Sequence, residues 1–180
     1  MIKVISGGQT GVDQAALMAA KAAGIATGGW MAHGWQTLDG IHEEFRELFC
    51  MEECPDRGYS PRTVRNVRDS DGTLCIAKNF TSPGELCTHR AVLAYRKPSF
   101  SVRWHPVHGM SRTAQEVINW IIVCGIDTLN VAGNSEQTAR GIQTRAYDFL
   151  LSVFLLWCSG IRRDNGAQSA HDTAQAEEQA

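Results

Sequence analysis

The sequence has no CxxC pair, and its six cysteines (Cys50, Cys54, Cys75, Cys87, Cys124 and Cys158) are irregularly spaced. Three of them lie inside apolar runs, so they read as reduced core thiols and no disulfide framework is expected. His42, Cys50 and Cys54 fit no zinc spacing, so no tightly bound, protein-ligated metal is expected. An excess of one charge is also missing. Seventeen Lys and Arg against nineteen Asp and Glu leave a net charge of −2, so no global field draws the chain to nucleic acid or to an anionic membrane. The most apolar stretch, residues 146–157, is too short to cross a bilayer and reads as a core or subunit-interface helix. The first strand begins at Ile2, which leaves no room for a signal peptide, and the expected location is cytoplasmic.

What is present describes an ordinary globular protein. The 180 residues are 43% hydrophobic and 20% charged. That length suits one domain, large enough to bury about 70% of its unfolded surface. The expected domain is 1–158. Residues 159–180 are polar, rich in Ala, Gln and Glu and free of aromatics, and read as a disordered tail.

The stretch around which the chain is organised is Val4-Ile5-Ser6-Gly7-Gly8-Gln9-Thr10-Gly11-Val12-Asp13. Ile2, Val4 and Ile5 form a short β-branched run, as in a strand buried on both faces. Three glycines then turn the chain into Gln14–Ala23, which is dense in good helix formers and ends at Gly24. Strand, glycine turn and helix in that order aim unpaired N–H groups and a positive helix end at one spot, which suits a phosphate. Thr10 adds a hydroxyl, and Asp13 sits where a carboxylate is favoured. The turn is neither GxGxxG nor a P-loop. It is therefore either an anion site or a tight turn with no ligand.

Further along, Ile25–Trp30 reads as a second strand ending near Gly28-Gly29-Trp30, and residues 31–44 as a loop. Trp30, His33 and Trp35 cluster there; a loop tryptophan stacks on a planar ligand ring or lids the core. Ser60 and Pro61 suit a helix start, and Arg62, Arg65 and Arg68 share a broad face of that helix. The face is either solvated or holds an arginine that closes over an anion. Residues 73–77 are a third strand, followed by the polar loop 78–84 and a helix from Glu85 to Tyr95. Residues 100–104 are a fourth strand, and Ser111 is the expected cap of a helix over 112–124. Residues 128–132 are a fifth strand, followed by Gly133-Asn134-Ser135.

Strands alternating with helices predict an α/β, Rossmann-like three-layer sandwich, with a mostly parallel sheet of about five strands and helices on both faces. Ligands in such folds bind outside the carboxyl ends of the strands. Several glycine loops fall at that edge here.

Ser6-Gly-Gly-Gln-Thr-Gly-Val-Asp13, Asp39-Gly40, Tyr59 with Arg62-Thr63, Asn66 to Thr73 (NVRDSDGT), Lys97-Pro98 and Asn130 to Gly133 together carry a resemblance. The chain, from Ile2 to about Phe154, resembles the circularly permuted YpsA-like branch of the SLOG superfamily, some of whose members are labelled molybdenum carriers. The resemblance implies a Rossmann-like fold whose phosphate-binding loop holds a nucleotide or nucleotide-derived ligand. It also implies kinship to phosphoribohydrolases, and homo-oligomers such as dimers or tetramers. Two loops depart from the family pattern. Ser82-Pro83-Gly84-Glu85 stands where Gly-Gly-Thr is usual, and Pro83 lacks a backbone donor. Gly133-Asn134-Ser135-Glu136 replaces a Gly-Pro-Arg loop, for which Arg140 is a possible substitute.

The ligand-binding set expected on these grounds starts with Gly7, Gly8, Gln9, Thr10, Gly11, Asp13, Gly29 and Trp30. It continues with Arg62, Thr63, Asn66, Arg68, Ser70 and Asp71, and closes with Gly84, Thr88, Gly133, Asn134 and Ser135. Two functions compete. One is a carrier or sensor that binds a phosphorylated nucleotide-like ligand or molybdenum cofactor. The other is a hydrolase cleaving the N-glycosidic bond of a nucleoside monophosphate, with Asp13, Asp71 and Glu85 as candidate carboxylates. Binding is favoured, because Pro83-Gly84-Glu85 is only a fragment of the enzymes' PGGxGTxxE pattern.

Overall fold

The computed structural model describes residues 2–178, with side chains described through Gly160. The apolar run at the front forms β1 (Lys3–Ile5), and the Ala-rich segment after the glycine turn forms α1 (Val12–Ala22). β2 (Ala26–Met31) follows, and then a 3-10 turn (His33–Trp35). Residues 31–44, expected as a loop, also contain a two-stranded hairpin, β3 (Gln36–Thr37) and β4 (Gly40–Ile41), which turns at Leu38-Asp39. α2 (Phe45–Leu48) and β5 (Met51–Glu53) complete this first part of the chain.

The second part runs α3 (Tyr59–Arg68), β6 (Gly72–Ala77), α4 (Pro83–Tyr95) and β7 (Ser99–His105). It ends with β8 (Gly109–Met110), α5 (Ala114–Val123), β9 (Thr128–Gly133) and α6 (Ile142–Glu178). Three helix starts differ from expectation. α3 is capped by Gly58 at φ 93°, so Tyr59 rather than Pro61 opens its first turn. α4 begins at Pro83 after Ser82, using the proline at its first position. α5 is capped by Thr113, because the Thr-x-x-Glu signature starts there: Glu116 N donates to Thr113 Oγ1 at 3.2 Å, and Thr113 N to Glu116 Oε2 at 2.7 Å.

The main sheet has seven strands in the order β5-β2-β1-β9-β6-β7-β8, parallel except for β8. The two strands beyond the expected five are the edge strands β5 and β8, three and two residues long, too short to leave a periodic signal. β9, last in the chain, lies at the centre between β1 and β6. The chain thus builds outward from β1 to β2 and β5, outward again from β6 to β7, and returns to close the middle.

Helices α1, α5 and α6 pack together on one face, and α3 and α4 pair on the other. The main core joins Val4, Leu74, Ile76, Leu129 and Val131 of the sheet to Val12, Ile121, Ile142, Leu150 and Phe154 of the helices. Central strands buried on both faces explain why their sequences read as unbroken apolar runs. Much of the apolar stretch 146–157 is therefore core: Ala146, Leu150, Val153 and Phe154 are buried, whereas Leu155 and Leu156 are exposed. The disordered tail expected over 159–180 falls, but for its first two residues, outside the part of the chain whose side chains are described.

Candidate functional site

A cavity of about 440 Å³ opens at the carboxyl ends of β1 and β9, between the N-terminal turns of α1, α3 and α4. Gly7, Gln9 and Asp13 come from the glycine turn, and Arg62, Thr63 and Asn66 from α3. Gly84, Glu85 and Thr88 come from α4, and Gly133 and Ser135 from the loop after β9. These eleven of the residues expected from sequence are brought together. The position is the one that the topology favours, at the carboxyl edge where strand order reverses.

At its floor, Arg62 Nη1 meets Asp13 Oδ2 at 2.9 Å. Glycine at position 7 leaves room for this pair, because a Cβ there would fall on the Arg62 guanidinium. Arg62 Nε is buried without a hydrogen-bond partner, and so is the Thr10 hydroxyl. Burial pushes the Asp13 carboxyl up from its ordinary value; the Arg62 guanidinium and the Gln9 N–H pull it down without cancelling that. Burial likewise raises Glu85, against its own backbone N–H and Asn134.

The glycine turn itself is less open than its sequence suggests. Gln9 N donates to Asp13 Oδ2 at 3.3 Å, Thr10 N to Gln9 Oε1 at 2.9 Å and Gly11 N to Gln143 Oε1 at 2.8 Å. Val12 N is taken by the Asn134 carbonyl at 3.1 Å. The negative charge that the turn and helix end attract is thus supplied by Asp13 of the same chain. Gly8, at φ 71°, and Gly11, at φ 91°, hold the turn's backbone in the left-handed region. Neither lines the cavity, nor does Thr10.

Other expected residues stand outside the cavity with work of their own. Asp71 Oδ2 accepts from Asp127 N at 3.2 Å and Thr128 N at 2.7 Å, at the amino ends of β6 and β9 and so at the opposite edge of the sheet. Ser70 Oγ donates to the Val67 carbonyl, and Arg68 pairs with Asp69; both lie toward the far end of α3. A helix that enters the site by its first turn carries its last turn away, which removes Arg68, Ser70 and Asp71. Gly29 packs against the Ser6 backbone. The Asn134 side chain binds Lys78 N, Asn79 N and the Asn79 carbonyl, which joins two loops. Arg140 is exposed and does not line the cavity.

Neither clustered tryptophan lines the cavity. Trp30 donates through Nε1 to Asp69 Oδ2 at 2.8 Å and carries the Arg65 guanidinium over its ring at 4.9 Å. Trp35 is buried beneath Arg46. Of the two readings of that cluster, Trp35 packing in the core is the one realised. Leu38, Tyr59, Ser82 and Asn130 also line the cavity and lie outside the ligand-binding set expected from sequence. Tyr59 and Asn130 lay inside the motifs themselves and were the available signal.

Among the described residues, no group of three or more His, Cys, Asp and Glu side chains could hold a metal ion, and no helix is long and apolar enough to cross a membrane.

The comparisons agree with this architecture. The model of the Circularly permutated YpsA SLOG family matches residues 4–154. No curated protein matches the sequence. Among solved structures, a proposed molybdenum carrier protein from Syntrophus aciditrophicus SB is similar: it is 33% identical with a TM-score of 0.74, over 86% of this chain and 95% of that one. With its last strand at the centre of the sheet and its glycine turn at the carboxyl edge, the chain belongs to the circularly permuted YpsA branch of the SLOG family.

Proposed function

We propose that the protein binds a phosphorylated, nucleotide-like small molecule in the cavity at the carboxyl edge of the sheet, acting as a carrier or sensor, with molybdenum cofactor among its candidate ligands. The observation that carries this reading is Arg62: a guanidinium held at the cavity floor, its Nε buried without a partner, among polar walls. A guanidinium suits a phosphate or a ring carbonyl. The first turn of α4, with Ser82 and Gly84 at the wall, adds a helix N-terminus for an anionic group. Because Gln9, Thr10 and Gly11 already give their N–H groups to side chains, the anion is assigned to Arg62 and α4 rather than to the glycine turn. The Syntrophus protein is named a molybdenum carrier, which supports a molybdenum-bearing cargo, and molybdenum cofactor is the phosphorylated candidate of that kind. Lacking a cluster of metal-ligating side chains among its described residues, the chain would hold such a cargo by its organic, phosphate-bearing part.

Mass spectrometry of small molecules released by gentle denaturation of the purified protein, followed by calorimetric titration with what is found, tests the proposal. A co-purifying nucleotide or pterin that rebinds below millimolar, and fails to rebind to Arg62→Ala, is the expected result. Full-strength binding to folded Arg62→Ala would remove the ligand from this cavity.

A further inference from the structure

Two large apolar side chains stand at the cavity without a packing partner that buries them. Leu38 is 50% exposed and Tyr59 is 45% exposed, yet both line it. They come from different elements: Leu38 from the turn of the β3–β4 hairpin, Tyr59 from the first residue of α3. Most of the other walls are polar, with Gln9, Arg62, Glu85, Thr88 and Asn130 among them.

Both residues are fixed in place. Leu38 N donates to Gln9 Oε1 at 2.8 Å, and the same oxygen accepts Thr10 N, so one side chain ties the hairpin to the glycine turn. The Tyr59 carbonyl accepts the Thr63 hydroxyl at 3.2 Å, which stiffens the turn that carries it. Ordering costs are thus largely met before any ligand arrives.

We infer that Leu38 and Tyr59 form an apolar clamp for a flat heteroaromatic ring, whose polar edge and substituents point toward Arg62 and Asn130. The inference rests on the cavity being a ligand site and names the part of the ligand that this end receives. A ring has apolar faces and a hydrogen-bonding edge, which is the combination that an apolar pair beside polar walls selects. A sugar phosphate alone would leave both side chains wet. A macromolecule does not fit a concavity of about 440 Å³. Gln9 acts here as a positioning residue, through the backbone of Leu38.

The test is calorimetric titration of the intact protein with AMP, a pterin monophosphate and ribose 5-phosphate. Leu38→Ala and Tyr59→Ala are compared with Ile41→Ala, a 63% exposed residue of the same hairpin that does not line the cavity. At least one ring-bearing probe should bind the wild type more tightly than ribose 5-phosphate. Leu38→Ala and Tyr59→Ala should each lose roughly three- to tenfold of that affinity. Ribose 5-phosphate should bind them unchanged, and Tyr59→Phe and Ile41→Ala should match wild type. Circular dichroism and melting temperature check that each variant is folded. Ring-bearing probes no tighter than ribose 5-phosphate, or affinities untouched by both alanine variants, would overturn the clamp while leaving the cavity as a sugar-phosphate site. No binding of any of the three probes to wild type would overturn the cavity reading and the clamp together.

Discussion

Arg62 Nη1 lies 2.9 Å from Asp13 Oδ2, and the two side chains are only 12% and 5% exposed. Removing one partner leaves the other charge buried and unpaired, which costs about 3–5 kcal/mol, more than the pair itself contributes. Asp13→Ala should therefore shift the denaturation midpoint strongly downward. Asp13→Ala combined with Arg62→Met should recover part of the loss, since neither charge then remains. Chemical denaturation of the two variants checks this. A double variant less stable than Asp13→Ala alone would show that Arg62 is stabilised chiefly by something other than Asp13.

The same pair separates the two neighbouring glycines. A Cβ on Gly7 would collide with the end of the Arg62 side chain, which is flexible, so Gly7→Ala should fold with the arginine displaced and its ligand affinity lowered. Gly8 is different: its φ of +71° disfavours a β-branched residue, and its Cβ would press on Met31 of the core. Gly8→Val should cost about 1–2 kcal/mol from backbone strain alone, and reads the fold rather than the ligand. Melting curves beside titrations distinguish them. A Gly8→Val protein of wild-type stability would contradict the strain argument.

How far the sequence reached is instructive in particular residues. Val4, Ile76 and Val131 announced buried parallel strands because both their faces are covered, and all three have no exposure. The cavity lies at the edge to which the strand–glycine–helix order pointed, and Arg62, Asn66 and Thr88, expected as ligand-binding residues, line it. What the sequence hid was occupancy. That Gln143, 132 positions away, fills the Gly11 donor cannot be read from local pattern. Nor does a run such as Arg68 to Asp71 reveal which end of a helix faces the ligand; only the topology turns Asp71 to the far edge.

His42 bridges two carboxylates, 2.7 Å from Glu44 and 3.1 Å from Asp39, at the base of the β3–β4 hairpin. Partial burial works against its charge, but the hydrogen bonds to Glu44 and Asp39 outweigh that, so its pKa lies above the ordinary 6.5. A raised histidine stabilises fully below its unfolded value, and the contribution is lost as pH rises through the folded one. Asp39 and Glu44 are lowered, so their share is lost at the acid end instead. Hairpin amides should exchange more slowly, beyond the intrinsic pH effect, on the acid side of the His42 midpoint. NMR titration of the His42 ring should give a midpoint above 6.5. A midpoint at or below it would mean that the bridge does not persist in solution.

The tail gives a prediction about where the domain ends. Ala146, Leu150, Val153 and Phe154 of α6 are buried in the main core, while no aromatic follows Trp157. The independently stable unit is proposed to end near residue 158, so deleting everything after Gly160 should leave the melting temperature unchanged. A clear drop would show that the segment packs on the body.

Association is the remaining question posed by α5 and α6. Ile122 and Val123 at the end of α5 are 62% and 84% exposed, and Leu155 and Leu156 on the adjoining α6 are 52% and 43% exposed. Two neighbouring helices that leave such residues in water are more readily explained by a contact between subunits than by an isolated monomer. Light scattering at micromolar concentration should therefore give a mass above the 19.8 kDa of one chain. Leu155→Glu and Val123→Glu, which disturb no buried packing, should move it toward one chain without lowering the monomer's stability. The two substitutions also localise the contact: an effect from both would place it across the two helices, and from Leu155→Glu alone on α6. A dispersed monomer for the wild type would confine the apolar character of α6 to its core-facing side.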